Sequence, residues 1–500
     1  MESDARRGLP PVSAVLEHEL LVESLPVRGR LAVRRAVRTA LAELRRGLKE
    51  GKAVPTDPAS VARRSRELLD QERAALRPVI NATGVLLHTG LGRAPLAREA
   101  VAAVAQVASG YCNLELDLDA GARGRRTAGI AQVLRELTGA AAATVVNNNA
   151  GATVLALRAL AAGREVVVSR GQLVEIGGSF RLPEIFEVSG ARLREVGTTN
   201  KTRLSDYQRA LGPETAAILR VHRSNFRIVG FTEDPALPEL VQLAHAHGLW
   251  AIDDIGSGAL RPGCPPRVGD EPTVAEGLAA GADLVLFSGD KLLGGPQCGI
   301  LVGSREAIGR IEADPLMRAL RVDKMTLAAL EATLRLAADG EPAAGRIPLW
   351  SMIATELPVL AARAEQLAAT LRAELGLNAT IVPGESFVGG GSAPIHALPT
   401  AVVAVAAPFP TPHDSEAAWA KALRRGEPAV VPRVQGGLVL FDLRTVAPDQ
   451  EPYLLDAIRR VCHHQDAPRS SDPVRTSSSV PGDSRSDEPR TNSPDRSGIP

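Results

Sequence analysis

Aromatic residues, cysteine and long apolar runs are all scarce in this sequence of 500 residues. Phe, Trp and Tyr make up 3% of the chain, and its four cysteines form no Cys-x-x-Cys pair. So few cysteines exclude a disulfide-stapled scaffold, and no His/Cys/Glu cluster predicts a metal site. No apolar run approaches the roughly 18 residues of a membrane helix, and no apolar signal segment is evident. We therefore expect a cytoplasmic protein without membrane association.

A strong excess of one charge is also missing from the chain as a whole, but not from its N-terminal part. The formal net charge is +1, whereas the first 78 residues hold 16 Lys and Arg against 11 Asp and Glu. Residues 1–75 have a helical pattern, in which Arg34, Arg38, Arg45 and Lys49 recur on one helix face. This face is either simply solvated or a site for an anionic partner, and the pattern alone does not decide between the two.

From about residue 79 the pattern changes to short apolar runs that alternate with helical stretches. This alternation predicts an α/β domain over residues 79–345, with a mostly parallel sheet covered on both faces. Residues 346–465 predict a smaller α+β domain. Residues 466–500 predict a disordered tail, because almost nothing there is apolar. The apolar runs that predict strands are 143–146, 165–168, 217–221, 249–253, 284–287 and 299–302.

The strongest chemical signal is the segment ADLVLFSGDKLLGGPQCG, at residues 282–299. An apolar strand delivers Ser288, Asp290 and Lys291 into a turn that is followed by glycines. A lysine held at the end of a buried strand loses its proton more easily and can attack a carbonyl group. A single lysine in a glycine-rich turn is more often a surface residue. The buried strand before this one favours a Schiff-base lysine.

Two acidic residues end another apolar strand in the segment LWAIDDIGSG, at residues 249–258. A buried carboxylate at such a place requires a cationic partner. The pyridinium nitrogen of pyridoxal phosphate is one, because a carboxylate keeps it protonated and able to accept electrons. Asp254 is our choice for this role and Asp253 the second candidate; a helix cap or a metal ligand is the alternative explanation for either, although no His/Cys/Glu cluster supports a metal.

A third strand end carries the segment VVNNNAGAT, at residues 145–153, followed by a helix. Backbone N–H groups at such a helix N-terminus form a cup for a phosphate group. The cup, the aspartate and the lysine occur in that order, which resembles the aspartate aminotransferase-like, fold-type I pyridoxal-phosphate enzymes. This resemblance implies a large domain with a seven-stranded sheet and an active site at a dimer interface.

Longer strings narrow the resemblance to the bacterial selenocysteine synthases, the family of L-seryl-tRNA(Sec) selenium transferases. It covers about residues 8–460, including the helical N-terminal part. One departure is Gly90, where the family pattern has Asn. The strings that carry the resemblance are INATGVLLHTGLGRAPL (from Ile80), SRGQLVEIGGSFR (from Ser169), VGTTNKT (from Val196), HRSNF (from His222) and FSGDKLLGGPQ (from Phe287).

The resemblance implies an activity and a set of site residues. Seryl-tRNA(Sec) would displace Lys291 from the cofactor, lose water to give an aminoacrylyl intermediate, and take selenium from selenophosphate at the β-carbon. Arg93, Arg318 and Arg321 match the arginines that hold the selenium donor. The catalytic candidates are Lys291, Asp254 and Asp290. The residues expected to bind the cofactor are Lys291, Asp254, Ser288, Asn148, Asn149, Ala150, Gly151 and His222.

The resemblance also implies partners and assembly. In this family the basic N-terminal domain binds the body of the tRNA, and the protein forms a homodecamer. Two alternatives remain: a pyridoxal-phosphate lyase acting on a small amino acid or amino sugar acid, and a non-catalytic tRNA-binding protein. A small-molecule lyase has no use for 75 basic helical residues. A non-catalytic protein has no use for Ser288, Asp290, Lys291 and Asp254.

Overall fold

The computed structural model describes residues 9–52, 54–71, 75–177, 180–269, 271–406 and 415–465. The tail predicted at 466–500 lies outside these residues.

The N-terminal part consists of helices that share a small core of their own. Val33, Val37 and Leu41 line one side of the long fourth helix and pack with Val61 and Leu69 of the fifth. The basic residues predicted to share a face are exposed on the other side of the fourth helix. The helices are α1 (Val12–Leu16), α2 (Glu19–Val22), α3 (Leu25–Arg28), α4 (Arg30–Lys49) and α5 (Pro58–Gln71).

Strands and helices then alternate over the next 275 residues or so, as the periodicity predicts. The elements are β1 (Val79–Ala82), α6 (Arg98–Ala108), β2 (Leu116–Asp117), β3 (Ala122–Arg123), α7 (Ala128–Thr138), β4 (Ala142–Val146), α8 (Asn149–Ala161), β5 (Glu165–Ser169), β6 (Glu175–Ile176), β7 (Phe180–Arg181), α9 (Leu182–Ser189), β8 (Arg192–Val196), α10 (Leu204–Ala210), β9 (Thr215–Val221), α11 (Leu237–Ala246), β10 (Trp250–Gly256), α12 (Val274–Ala279), β11 (Leu284–Ser288), β12 (Gly299–Gly303), α13 (Arg305–Ala313), α14 (Leu316–Leu320), α15 (Lys324–Ala338) and α16 (Pro348–Ala354).

Seven of these strands form one sheet in the order β4-β12-β11-β10-β9-β5-β8. Only β12 runs antiparallel to its neighbours β11 and β4, and the other pairs are parallel. The prediction located six of the seven strands. It missed the edge strand β8, because its sequence RLREV carries three charged residues and no apolar run. The carboxyl ends of the adjacent parallel strands β9, β10 and β11 lie together at one end of the strands, where ligands bind in such sheets.

The C-terminal part forms a second, five-stranded sheet in the order β1-β15-β16-β14-β13. Its elements are α17 (Leu357–Leu375), β13 (Ala379–Gly389), β14 (Ser392–Ala406), α18 (Glu416–Arg425), β15 (Ala429–Gln435), β16 (Leu438–Asp442) and α19 (Glu451–Gln465).

Two segments depart from the predicted domain limits. Strand β1 pairs with β15, so residues 79–82 lie in the sheet of the C-terminal part rather than in the large domain. Trp350 lies beyond the limit predicted at 345, yet it is buried in the core of the large domain and donates a 2.8 Å hydrogen bond to Leu292 O. Neither contact has a local sequence signal.

Candidate active site

Lys291 lies in a turn just after the buried strand β11 and is itself only 5% exposed. Its Nζ donates a 3.2 Å hydrogen bond to the carbonyl oxygen of Gly391. Burial lowers the pKa of this amine, and the positive charge of Arg93 lowers it further, against the opposing charges of nearby carboxylates. A lowered pKa leaves more of the amine in its neutral form, which acts as a nucleophile and as a base.

Asp254 lies at the end of β10, close enough to Lys291 for the two charges to interact. Its Oδ1 accepts hydrogen bonds from Asn149 Nδ2 at 3.0 Å and from Gly256 N at 3.1 Å, and its Oδ2 accepts one from Thr153 Oγ1 at 3.0 Å. These donors are all neutral. Burial therefore raises the pKa of Asp254, although the hydrogen bonds oppose the shift. Such a carboxylate would be stabilised by a cation.

Asp253 already has its cation. Arg220 on the neighbouring strand β9 contacts both carboxylate oxygens, at 2.6 and 2.7 Å, and Asp253 is fully buried. Successive residues of a strand point to opposite faces of the sheet. Asp253 accordingly packs against Gly277 of α12, whereas Asp254 contacts α8 on the other face. The contacts favour Asp254 over Asp253 for the pyridine nitrogen.

The predicted phosphate cup forms the turn between β4 and α8. Asn148 caps the helix, with its side chain accepting a 2.7 Å hydrogen bond from Gly151 N. A Cβ on Gly151 would lie 3.2 Å from Asn147 Oδ1 and 3.2 Å from a Leu320 methyl, so a side chain here would crowd the turn. Ala150 lies in the same first helical turn, and Ser288 lies buried at the end of β11.

Several buried polar atoms at these strand ends have no hydrogen-bond partner among the described residues. They include Asn149 Oδ1, Glu271 Oε2 and Ser392 Oγ. Buried polar atoms normally find partners, so a cluster of unpaired ones indicates the seat of a polar ligand. Together with the amine, the carboxylate and the helix N-terminus, these atoms match the chemical groups of pyridoxal phosphate.

Sequence reasoning missed the contribution of the C-terminal part to this site. The turn between β13 and β14 contains three consecutive glycines, 389–391, all with positive φ. A Cβ on Gly390 would come within 2.8 Å of Leu87 Cβ, so this turn packs closely against the large domain. Glu271, in the loop before α12, was also missed. Glu271 is recognised as part of the site only by its proximity to Lys291 in the folded chain, which sequence spacing does not reveal.

The three predicted donor arginines line two different cavities among the described residues. Arg93 pairs with Asp290 at 2.7 Å and lines a cavity beside α16. Arg318 and Arg321 lie at the end of α14 and line a different cavity, of about 410 Å³. That second cavity is also lined by Arg123, Arg125 and Arg126, which the sequence analysis did not select.

Comparison with known proteins places these features in a family. The family model described as L-seryl-tRNA selenium transferase matches residues 79–447. The L-seryl-tRNA(Sec) selenium transferase of Solidesulfovibrio magneticus is 47% identical over 472 residues, covering 92% of this chain and 99% of the relative. This chain belongs to the L-seryl-tRNA selenium transferase family. The family member from Moorella thermoacetica is 46% identical over 456 residues, covering 90% of this chain and 96% of the relative.

The fold is also found among solved structures. D-Glucosaminate-6-phosphate ammonia-lyase superposes with a TM-score of 0.54 at 22% identity, over 78% of this chain and 96% of that chain. With the sheet order above, this confirms the predicted α/β, aspartate aminotransferase-like fold. None of the helices in the described ranges is long and apolar enough to cross a membrane.

Proposed function

We propose that this member of the family converts L-seryl-tRNA(Sec) to L-selenocysteinyl-tRNA(Sec), using pyridoxal phosphate as cofactor and selenophosphate as selenium donor. The observation that carries the proposal is a buried amine, Lys291, close enough to interact electrostatically with a buried carboxylate, Asp254, that has only neutral hydrogen-bond donors. Family membership supports the tRNA substrate. We further infer that the reaction takes place in the cytoplasm.

The residues around Lys291 fit the cofactor group by group. Asp254 would hold the pyridine nitrogen, and Asn148, Asn149, Ala150 and Gly151 would hold the phosphate at the N-terminus of α8, with Ser288 beside it. His222 would contact the ring substituents. When bound, pyridoxal phosphate supplies an aldehyde that captures an amine and a ring that withdraws electrons from the carbon attached to that amine.

The side chains of this site then move protons. Lys291 Nζ is the amine that would hold the cofactor and the base that would take the proton from the seryl Cα. Its depressed pKa leaves more of the amine in the neutral form that this step requires. The seryl hydroxyl would leave Cβ as water, with the proton that Lys291 took from Cα. The selenium of selenophosphate would then bond to Cβ while a proton returns to Cα, and water would cleave the P–Se bond to release phosphate. Asp290 would orient this turn through its ion pair with Arg93.

The selenium donor is a small, highly charged anion, for which arginine is the suitable ligand. Arg93 lies close to Lys291, while Arg318 and Arg321 line a separate cavity of the same chain. We infer that arginines from two subunits meet at one site, as an active site between subunits would allow. A homodecamer, as in the family resemblance, is the assembly that we propose.

The tRNA body would bind the exposed basic face of α4. Arg34, Arg38, Arg45 and Lys49 lie there, opposite the buried side of the helix. Contacts with phosphates supply much of the affinity of such surfaces but little base specificity. Aromatic residues are rare in the chain, so recognition by shape and backbone is expected rather than stacking on bases.

The direct test is incubation of the purified protein with seryl-tRNA(Sec), pyridoxal phosphate and selenophosphate, followed by analysis of the amino acid on the tRNA. Selenocysteine is the expected product. Turnover of free serine or amino sugar acids, with no change to the charged tRNA, would favour a small-molecule lyase and overturn the proposal. Binding of tRNA without any uptake of the cofactor would favour a non-catalytic protein.

A further inference from the structure

A buried glutamate joins the two parts of the chain at the candidate active site. Glu271 is 8% exposed, and its Oε1 accepts a 2.9 Å hydrogen bond from the backbone N–H of Ala393, in the C-terminal part. The same oxygen lies 3.4 Å from His222 Nε2, at the end of β9. Glu271 is not part of a helix or strand, and its own backbone N–H donates a 2.7 Å hydrogen bond to Gly269 O.

The carboxylate of Glu271 is held in its ionised form. Burial alone would raise its pKa, but the contacts with His222, with the hydroxyl of Ser257 and with the Ala393 N–H outweigh burial and lower it. Its other oxygen, Oε2, is buried without a hydrogen-bond partner among the described residues. A buried, ionised and only partly satisfied carboxylate is costly, which indicates a role beyond packing.

The segment that Glu271 holds is the β13–β14 turn, which covers Lys291. Gly391 in this turn accepts the hydrogen bond from Lys291 Nζ, and its Cα region also lies against Ser224 and Ile176. Ala393, two residues later, has a φ of +46°, which an L-residue rarely adopts. The hydrogen bond to Glu271 therefore stabilises a backbone conformation that is unfavourable for alanine.

We propose that Glu271 is a positioning residue that anchors the Gly389–Ala393 turn over Lys291 and orients His222 toward the same site. The proposal rests on the proposed function, since it concerns the use of that site. It makes the C-terminal part a structural component of the active site, where the Glu271 carboxylate adds to the backbone hydrogen bonds that Leu86 N and Leu87 N donate to Phe387 O and Val388 O.

The charges around Lys291 determine the sign of the expected effect. The amine is influenced by Arg93, Asp254, Asp290 and Glu271, and of these only Arg93 is positive. Glu271 itself is influenced by His222. Removing the negative charge of Glu271 makes protonation at the Lys291 nitrogen less favourable. The nitrogen should then lose its proton at a lower pH.

Two substitutions distinguish the hydrogen bond between Glu271 and Ala393 from the negative charge of Glu271. Glu271→Gln keeps a carbonyl oxygen for the Ala393 N–H but removes the charge, whereas Glu271→Ala removes both. Glu356→Gln and Glu356→Ala are the matched controls. Glu356 pairs with Arg267 at 2.6 Å on the rim of the cavity that Glu271 lines, and it is exposed. Thermal unfolding checks that every variant is folded.

Hydrogen–deuterium exchange of the peptide that contains residues 389–393 measures the anchor. We expect Glu271→Ala to accelerate exchange of this segment by about tenfold or more, and Glu271→Gln to leave it near the wild-type rate. In the protein loaded with pyridoxal phosphate, the pH midpoint of the visible absorbance should fall by about half a unit in Glu271→Gln. The Glu356 variants should change neither quantity.

Unchanged exchange in Glu271→Ala would overturn the proposal, as would equal effects in the Glu356 variants. The exchange experiment is also run on protein without cofactor, so its result does not depend on catalysis. If the protein fails to take up pyridoxal phosphate but the turn still loosens in Glu271→Ala, the proposed function fails while the anchor stands. If the cofactor binds and the turn is unaffected, only the anchor fails.

Discussion

Arg220 contacts both carboxylate oxygens of Asp253, at 2.6 and 2.7 Å, whereas the adjacent Asp254 has only neutral hydrogen-bond donors. The two neighbouring aspartates thus have different partners. The first belongs to a buried ion pair between strands β9 and β10. The second is directed toward α8 and the space beside Lys291, where the pyridine nitrogen of a cofactor would supply the cation.

This difference predicts opposite outcomes for two equivalent substitutions. Asp254→Asn should lower transferase activity about a hundredfold, since a charged hydrogen bond contributes up to ~3 kcal/mol, and should leave folding intact. Asp253→Asn should instead reduce the free energy of unfolding by about 3 kcal/mol, because it removes the charge that the partly buried Arg220 contacts. Activity assays and urea unfolding measure the two effects. The reverse pattern would assign the pyridine contact to Asp253.

The pKa of Lys291 predicts how cofactor uptake depends on pH. Only the neutral amine attacks an aldehyde, so uptake by cofactor-free protein should rise with pH, with a midpoint below the ordinary lysine value of 10.5. Arg93→Gln removes a nearby positive charge, which favours the protonated amine and should move the midpoint upward. Stopped-flow absorbance measures it. Arg98→Gln, whose side chain is 92% exposed, is the control and should not shift it.

The tight glycine turn over Lys291 predicts a selective loss of activity. Gly390 has a φ of +63°, and an added Cβ would lie 2.9 Å from Leu87 O, so Gly390→Ala should displace the turn and abolish most activity. Gly436→Ala is the matched control, because Gly436 has a φ of +59° but no neighbouring atom within 4 Å. The control should cost about 1 kcal/mol of stability and retain activity. Equal activity in both variants would rule out a functional role for the turn.

The basic face of α4 predicts a salt-dependent loss of tRNA affinity. Replacing Arg34, Arg38, Arg45 and Lys49 by Gln should weaken tRNA binding. It should also make the slope of log K against log salt concentration shallower, by about 0.7 to 0.9 for each phosphate that the protein no longer neutralises. The visible absorbance of the bound cofactor should not change. Arg335→Gln, which removes an exposed arginine from α15, serves as control. Unaltered binding by the fourfold variant would show that the face is merely solvated.

Much of the large domain was predictable from local patterns, and the failures have physical causes. Apolar runs located six strands of the sheet because those strands are buried on both faces. Strand β8 lies at the edge of the sheet, so the charged residues Arg192, Arg194 and Glu195 are tolerated there. They obscure the alternation of apolar and polar residues from which a strand is predicted. The pairing of β1 with β15 joins residues some 350 positions apart, and no local signal encodes it.

The candidate site was predictable only where its residues lie beside strand ends. Lys291, Asp254 and the Asn148–Gly151 turn follow apolar strands and could be selected in this way. The alternation of a strand puts Asp253 and Asp254 on opposite faces, but only the position of Arg220 indicates which aspartate is already paired. Glu271 and the glycine turn reach the site from loops. Their contacts are long-range, so sequence spacing does not reveal them.

The attachment of the cofactor to Lys291 is the central claim, and one measurement tests it most directly. The purified protein is saturated with pyridoxal phosphate, reduced with sodium borohydride, digested and analysed by mass spectrometry. The mass of the reduced cofactor should appear on the peptide that contains Lys291, and should be absent in Lys291→Ala. Labelling of a different lysine, or no labelling after saturation with the cofactor, would contradict the account.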